Sequence, residues 1–288
     1  MSNIQITENG SGKYSPEWFY SESQTPEWIS FAHKADELRE NFINLFGIER
    51  LKSLFGKNLL TSLFYNDEGT KTNLCYRLEM DKDIREVFGS ISGGAAYKFG
   101  LFYHKKNQSW TCGSPLKPIH LTEDEAIQKA EEMRNDLVEG AGIISSFGPL
   151  DSEKDYEQLY KQLEHIPGIN MVWRMKYYQM LFPTLFAPFY GQDIQLRVLH
   201  FLNRKPSDIP FIRMGQISLY ARKCNIPGVV FAHIYGKNVG YTNETNDSDT
   251  NTLSDKKHKT HYWMYTVFDD KSWNECQQKG IMVLGMDD

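Results

Sequence analysis

Cysteine is scarce in this chain of 288 residues: Cys75, Cys112, Cys224 and Cys276 form no CxxC pair and have no histidine at zinc-finger distance. That spacing argues against a structural zinc site, and all four are expected as reduced thiols. No apolar run approaches the roughly 20 residues that cross a bilayer. The opening residues, Met1 to Ile6, lack the basic and apolar parts of a signal peptide. A cytoplasmic protein with no membrane segment is therefore expected, with the sequons at Asn107, Asn243 and Asn246 unmodified. No phosphate-binding loop of the form G-x-x-x-x-G-K-[ST] occurs, since Gly56-Lys57 is followed by asparagine and has no glycine five residues earlier. Nor is there a serine in G-x-S-x-G or a cysteine in an activating context. Asp269-Asp270-Lys271 reads as a solvated turn rather than a nuclease centre. No catalytic residue, cofactor or metal is expected. A general excess of positive charge is missing too, since the formal net charge of -5 argues against a uniformly basic nucleic-acid binder.

What the chain does have is the composition of a folded protein, 40% hydrophobic and 14% aromatic, and a lopsided distribution of charge. Between Gly168 and Tyr235 stand eight basic residues and only Asp193 and Asp208 as acids, a net +6 that leaves -11 for the remainder. One part of the molecule could therefore face a polyanion.

The fold class expected is α+β: N-terminal helices with a small antiparallel sheet, then a mostly helical basic domain, then the first elements of a β domain. Residues 1–22 read as a flexible tail. An α+β domain spans 23–165 and opens at Thr25-Pro26-Glu27, a helix start. Trp28, Phe31, Ala35, Leu38, Phe42 and Leu45 line one face of that helix. A short helix with Leu51, Leu54 and Phe55 follows Gly47. Leu74–Glu79 alternates as a strand would, and 98–104 is expected to pair with 109–111 across the turn 105–108. Thr122-Glu123-Asp124-Glu125 is a capping box that starts a helix ending at Gly140. Another helix is expected over 152–165. The cluster Gly89-Ser90-Ile91-Ser92-Gly93-Gly94 is either a turn or an anion-binding nest.

The basic helical domain, 166–236, contains helices at about 170–181, 193–202 and 212–223, with prolines at the joints. The polar, low-complexity residues 237–260 read as a linker. Residues 261–288 read as strand, helix and strand, the start of a domain too short to fold alone, so the chain is expected to be a fragment of something longer.

Two stripes on the basic helices are candidate contacts for phosphate and sugar. Arg197, His200 and Arg204 lie opposite Ile194, Val198, Phe201 and Leu202. Arg213, Gln216, Tyr220 and Lys223 lie opposite Met214, Ile217 and Ala221. Arg174 and Lys176 belong to the same basic segment. The stripes could equally be solvated faces or a surface for an acidic protein domain. Trp173, Tyr177, Phe182 and Phe186 stand at core spacing, and His165 and His233 read as packed or capping groups.

Several strings together resemble a known family: "FGSISGGAAYKFGLFYHKKNQSW" with "GSP" after it, "EAIQKAEEMRNDLVEGAGII", "VWRMKYYQMLFPTLFAPFY" with "QLRVLHFL", and "RMGQISLYARKC". They resemble the region ahead of the GTPase in McrB-like proteins of modification-dependent restriction systems. The W-x-x-K-Y-x-x-x-L-F-P pattern of Trp173, Lys176, Tyr177, Leu181, Phe182 and Pro183 is the most distinctive. "YWMYTVFDDKSWNECQQKGIMVLG" resembles the start of an EVE or PUA-like domain. The resemblance implies a non-catalytic region that targets DNA, modified or unmodified, or serves as an adaptor. It would lie upstream of an AAA+ GTPase that recruits a partner nuclease, with Trp263 and Trp273 as candidates for holding a modified base. The alternative is a protein-interaction scaffold that couples the GTPase motor or nuclease to a separate DNA reader.

Overall fold

The computed structural model describes residues 14–66, 71–91, 96–167 and 172–239, all within a unit that ends at Asn243. The expected linker from 240 onward, the EVE-like residues 261–288, Trp263, Trp273 and Cys276 lie outside the described residues, as do residues 92–95 of the glycine cluster. The described part is mostly helical with a three-stranded antiparallel sheet, the α+β class expected. No helix in it is long and apolar enough to cross a membrane.

Helix α1 is Pro16–Ser23 and α2 is Pro26–Phe46, each with proline in its first turn. The presence of α1 corrects the flexible-tail reading of 1–22: Ser15 caps it, and Phe19 is fully buried between Phe231 and Tyr220. Trp28, Ala35 and Phe42 face the core as expected, but Leu45 is exposed and Phe46 takes its place. Two short helices follow, α3 (Ile48–Lys52) and α4 (Gly56–Leu63).

Leu74–Glu79 is a helix, α5, and not the strand its alternation suggested. Asn73 accepts a hydrogen bond from the Tyr76 amide at 2.8 Å, and this N-cap starts a turn whose buried face is Leu74, Cys75 and Leu78. Helix α6 (Lys82–Phe88) follows, capped by Asp81.

The sheet is a meander of β1 (Leu101–His104), β2 (Ser109–Ser114) and β3 (Lys117–Leu121). The expected hairpin is present, with His104 opposite Ser109 and Leu101 opposite Cys112. The sequence reading missed β3, because Lys117 through His120 are all exposed and show no alternation. It is an edge strand, where Pro118 is tolerated.

Helix α7 (Glu123–Ser146) begins at the capping box: Thr122 accepts from the Glu125 amide at 3.3 Å, and Glu125 accepts from the Thr122 amide at 2.8 Å. It passes through Gly140 instead of stopping there. Gly140 is in the helix for want of a side chain: a Cβ would stand 2.1 Å from the Tyr178 hydroxyl. Helix α8 (Glu153–Leu163) packs on α11 (Pro210–Lys223), α10 (Gln192–Phe201) packs on α11, and α9 (Val172–Leu181) packs on α2, α5 and α7. The chain reaches α12 (Gly228–Val239), which runs into the expected linker and packs against α1, α2 and α11.

One apolar cluster extends from Phe19 to Tyr235, so the boundary expected at 165/166 falls inside a shared core. The Tyr177 hydroxyl donates to the Phe46 carbonyl at 2.8 Å, and the Tyr156 ring lies against Gly215. Both contacts tie the first half of the chain to the second.

Candidate nucleic-acid interface

The nine basic and polar residues expected at the surface separate into an internal group and an exposed group. Arg174, Lys176, Arg213 and Gln216 are buried. Arg197, His200, Arg204 and Lys223 are exposed, and Tyr220 is half-buried beside them. The expectation of two exposed stripes is corrected accordingly. The stripe on α10 stands, and the one on α11 is internal in its first half.

The reason lies in the surroundings of α9 and α11. Every residue from Trp173 to Met180 is buried, so α9 has no solvent face to which a charge could turn. Arg174 and Lys176 are two positions apart, about 200° around a helix, and one exposed face could not have held both. Lys176 reaches across the core and donates to the carbonyls of Leu78, 2.9 Å, and Gly89, 2.6 Å, near the C-terminal ends of α5 and α6. Those ends carry partial negative charge, which suits an amine. Burial, and secondarily the Arg85 charge, pulls its pKa down to about 7. Arg174 lies 5.4 Å from the Trp173 ring centre and 3.5 Å from Asp136 of α7.

On α11, Arg213 and Gln216 hold the loop between α10 and α11. Arg213 donates to Gln195 at 2.9 Å and to the carbonyls of Ser207 and Asp208 at 2.9 and 3.1 Å. Gln216 donates to the Lys205 carbonyl at 2.9 Å and to Glu153 at 2.8 Å, and accepts from the Ser207 amide at 3.1 Å. Gln195 donates to the carbonyls of Phe189 and Pro210. These bonds satisfy the backbone of a loop rich in proline and fix the exit of α10. They are positioning contacts within the protein.

The exposed remainder forms an edge where α10 ends beside the C-terminal turn of α11. Arg204 lies 3.8 Å from Glu153 of α8. The Tyr220 phenol is pushed up to about 12, first by burial and then by Cys224 and Glu17, while Arg204 pulls it back. Glu17 of α1 is held below the usual carboxylate range, mainly by the Ser15 hydroxyl and in part by Lys223. Arg204, Tyr220, Lys223 and the two carboxylates therefore share one neighbourhood, continued along α10 by His200 and Arg197.

Lys205, also exposed, belongs to this edge and was not among the stripe residues, since it follows the end of α10. Its signal in the sequence was its place next to Arg204 in a loop. Arg222 is half-buried and donates to the Leu150 carbonyl. Of the eight basic residues in the segment, four are exposed, and against Asp193 and Asp208 they amount to +2 at the surface rather than +6.

Trp173, Tyr177 and Phe186 are buried, as their core spacing indicated. His233 is a packed group: Nε2 donates to the Val87 carbonyl at 2.8 Å, and burial holds its pKa down. His165 is instead exposed, 3.3 Å from Glu139. A cleft of about 310 Å³ between α4, the hairpin and the start of α7 is lined by Tyr103, Trp110, Lys57 and Glu123 among others. Its two charges pair with each other at 3.2 Å, and it includes none of the nine expected residues. Among the described residues no group of three or more His, Cys, Asp or Glu side chains gathers as a metal would require.

Compared with protein-family models, curated proteins and solved structures, the chain matches none.

Proposed function

We propose that this chain is a non-catalytic, DNA-contacting adaptor region of a McrB-type modification-dependent restriction system. In this reading an AAA+ GTPase and a partner nuclease act with it in anti-phage defence. The observation that carries the DNA contact is the α10–α11 edge: Arg197, His200, Arg204, Lys205 and Lys223 exposed on helices whose geometry is locked by Arg213, Gln195 and Gln216. Rigid cations with a partly exposed tyrosine suit phosphate and sugar, which position a protein on a duplex without reading its sequence. The family resemblance supplies the wider assignment.

A second reading has its own supporting observation. Half of the basic residues of the segment serve the protein interior or a backbone carbonyl, which is what a rigid scaffold joining a motor or nuclease to a separate reader would need.

Salt dependence separates the two. With four exposed cations, the logarithm of the duplex association constant should fall against that of salt with a slope no steeper than about -4. Replacing both residues in Arg197→Glu/Arg204→Glu should leave thermal unfolding nearly unchanged, because both side chains point to solvent. It should weaken binding and reduce the slope by roughly two units. Equal binding by the double variant, or no binding by the parent at low salt, would replace the DNA reading with the scaffold reading.

A further inference from the structure

The cations of the α10–α11 edge do not stand alone. Glu153 approaches Arg204 to 3.8 Å while it accepts a hydrogen bond from Gln216 at 2.8 Å, and Gln216 is itself fixed by Lys205 and Ser207. That carboxylate is therefore held in place from behind. Glu17 projects from the first turn of α1, where the Ser15 hydroxyl bonds it and the Lys223 charge favours its ionised form. The carboxylates come from α8 and α1, two elements that have no cations of their own at this edge. The charged groups that face them are Arg204, Lys205 and Lys223 on the helical side, and Asp193 and Asp208 lie further along the same segment.

We infer that Glu17 and Glu153 are built-in competitors for phosphate, occupying the coordination of Lys223 and Arg204 until a duplex backbone displaces them. This rests on the DNA-contact reading and adds to it the element that sets the strength of binding. An exposed ion pair is nearly neutral in free energy, so displacing one costs little. Each displaced carboxylate nevertheless remains beside the phosphate and repels it. The edge is thus tuned to weak contact, which suits an adaptor that must release non-specific DNA.

The test uses the double variant Glu17→Gln/Glu153→Gln, in which the amide oxygen introduced at position 153 can still accept from Gln216. The probe is an unmodified duplex, followed across a salt series. The expected result is roughly tenfold tighter binding at low salt, with a salt slope steeper by one to two units as Lys223 and Arg204 become available to phosphate. A control removes two carboxylates paired elsewhere, Asp36→Asn/Glu49→Gln, which sit with Arg39 and Lys52 on α2 and α3. This control should bind as the parent does. Equal tightening by both double variants would show a general charge effect and overturn the inference. A parent that binds and a Glu17/Glu153 variant that binds no better would also overturn it, while leaving the DNA reading intact. If neither binds any duplex, both fall. If the parent is silent and the variant binds, the competition is stronger than inferred and the assignment holds.

Discussion

Gly215→Ala will not reach a stable native fold. A Cβ at this position would lie 2.3 to 2.8 Å from three ring carbons of Tyr156, distances that side-chain carbons do not tolerate. The ring has nowhere to go. Tyr156 is fully buried, its hydroxyl donates to the Leu185 carbonyl at 2.6 Å, and Phe186 packs at its edge. Alanine is favoured over glycine in a helix by about 1 kcal/mol, which offsets only part of an overpacking cost of roughly 3 kcal/mol or more. The internal comparison is Gly142→Ala, in the exposed part of α7, where a Cβ would meet nothing within 4 Å. That change should raise stability by up to about 1 kcal/mol. Denaturant unfolding of the two variants decides the matter. A Gly215→Ala protein as stable as the parent would mean that α8 and α11 are not packed as described.

The second large effect is on the pH dependence of stability and comes from Lys176. Its folded pKa of about 7 lies far below the ordinary value of 10.5. Between those values the unfolded chain holds a proton that the folded protein does not, so stability rises with pH across that interval. The neutral amine fits its site, since its two N–H groups match the two carbonyls of Leu78 and Gly89. Other groups set the upper limit. Cys75, Cys224 and six tyrosines, at 65, 156, 177, 178, 190 and 220, have raised values in the fold. Their contribution is present below their unfolded values and is lost as pH rises through about 8.5 for thiols and about 10 for phenols. The clean window is therefore pH 7 to about 8.5, where the lysine should add about 2 kcal/mol. Lys176→Met leaves two buried carbonyls without their donor and should be less stable throughout. Its stability should also stay flat over that window, so its deficit grows with pH. A variant that keeps the parent's slope would place the titration on some other group.

Local signals in the chain proved legible where the physics is local. The capping box at Thr122, the prolines that open α2 and α11, and the hairpin between His104 and Ser109 depend on a few adjacent residues, and the structure holds them as expected. The readings that failed depended on what surrounds an element. Alternation in Leu74–Glu79 looks like a strand until Asn73 is seen capping a turn. Gly140 looks like a helix end until Tyr178 is seen lying across it. Arg213 and Gln216 fall on a polar stripe by spacing, yet α8 and the loop before α11 cover that side. Two features of the sequence did hint at this: the separation of Arg174 and Lys176 by about 200°, and the small residues Gly215 and Ser218, which mark close approach. The edge of Arg197, His200 and Arg204 was legible because Ile194 and Val198 fix the buried side of α10.

The most direct measurement of the DNA-contact reading is hydrogen–deuterium exchange of the whole chain with and without a duplex at low salt. Backbone amides at 197–205 and at 220–224 should gain protection together, and that gain should be smaller in Arg197→Glu/Arg204→Glu. Protection confined to the hairpin and β3, or no change anywhere in residues 14–239, would contradict it.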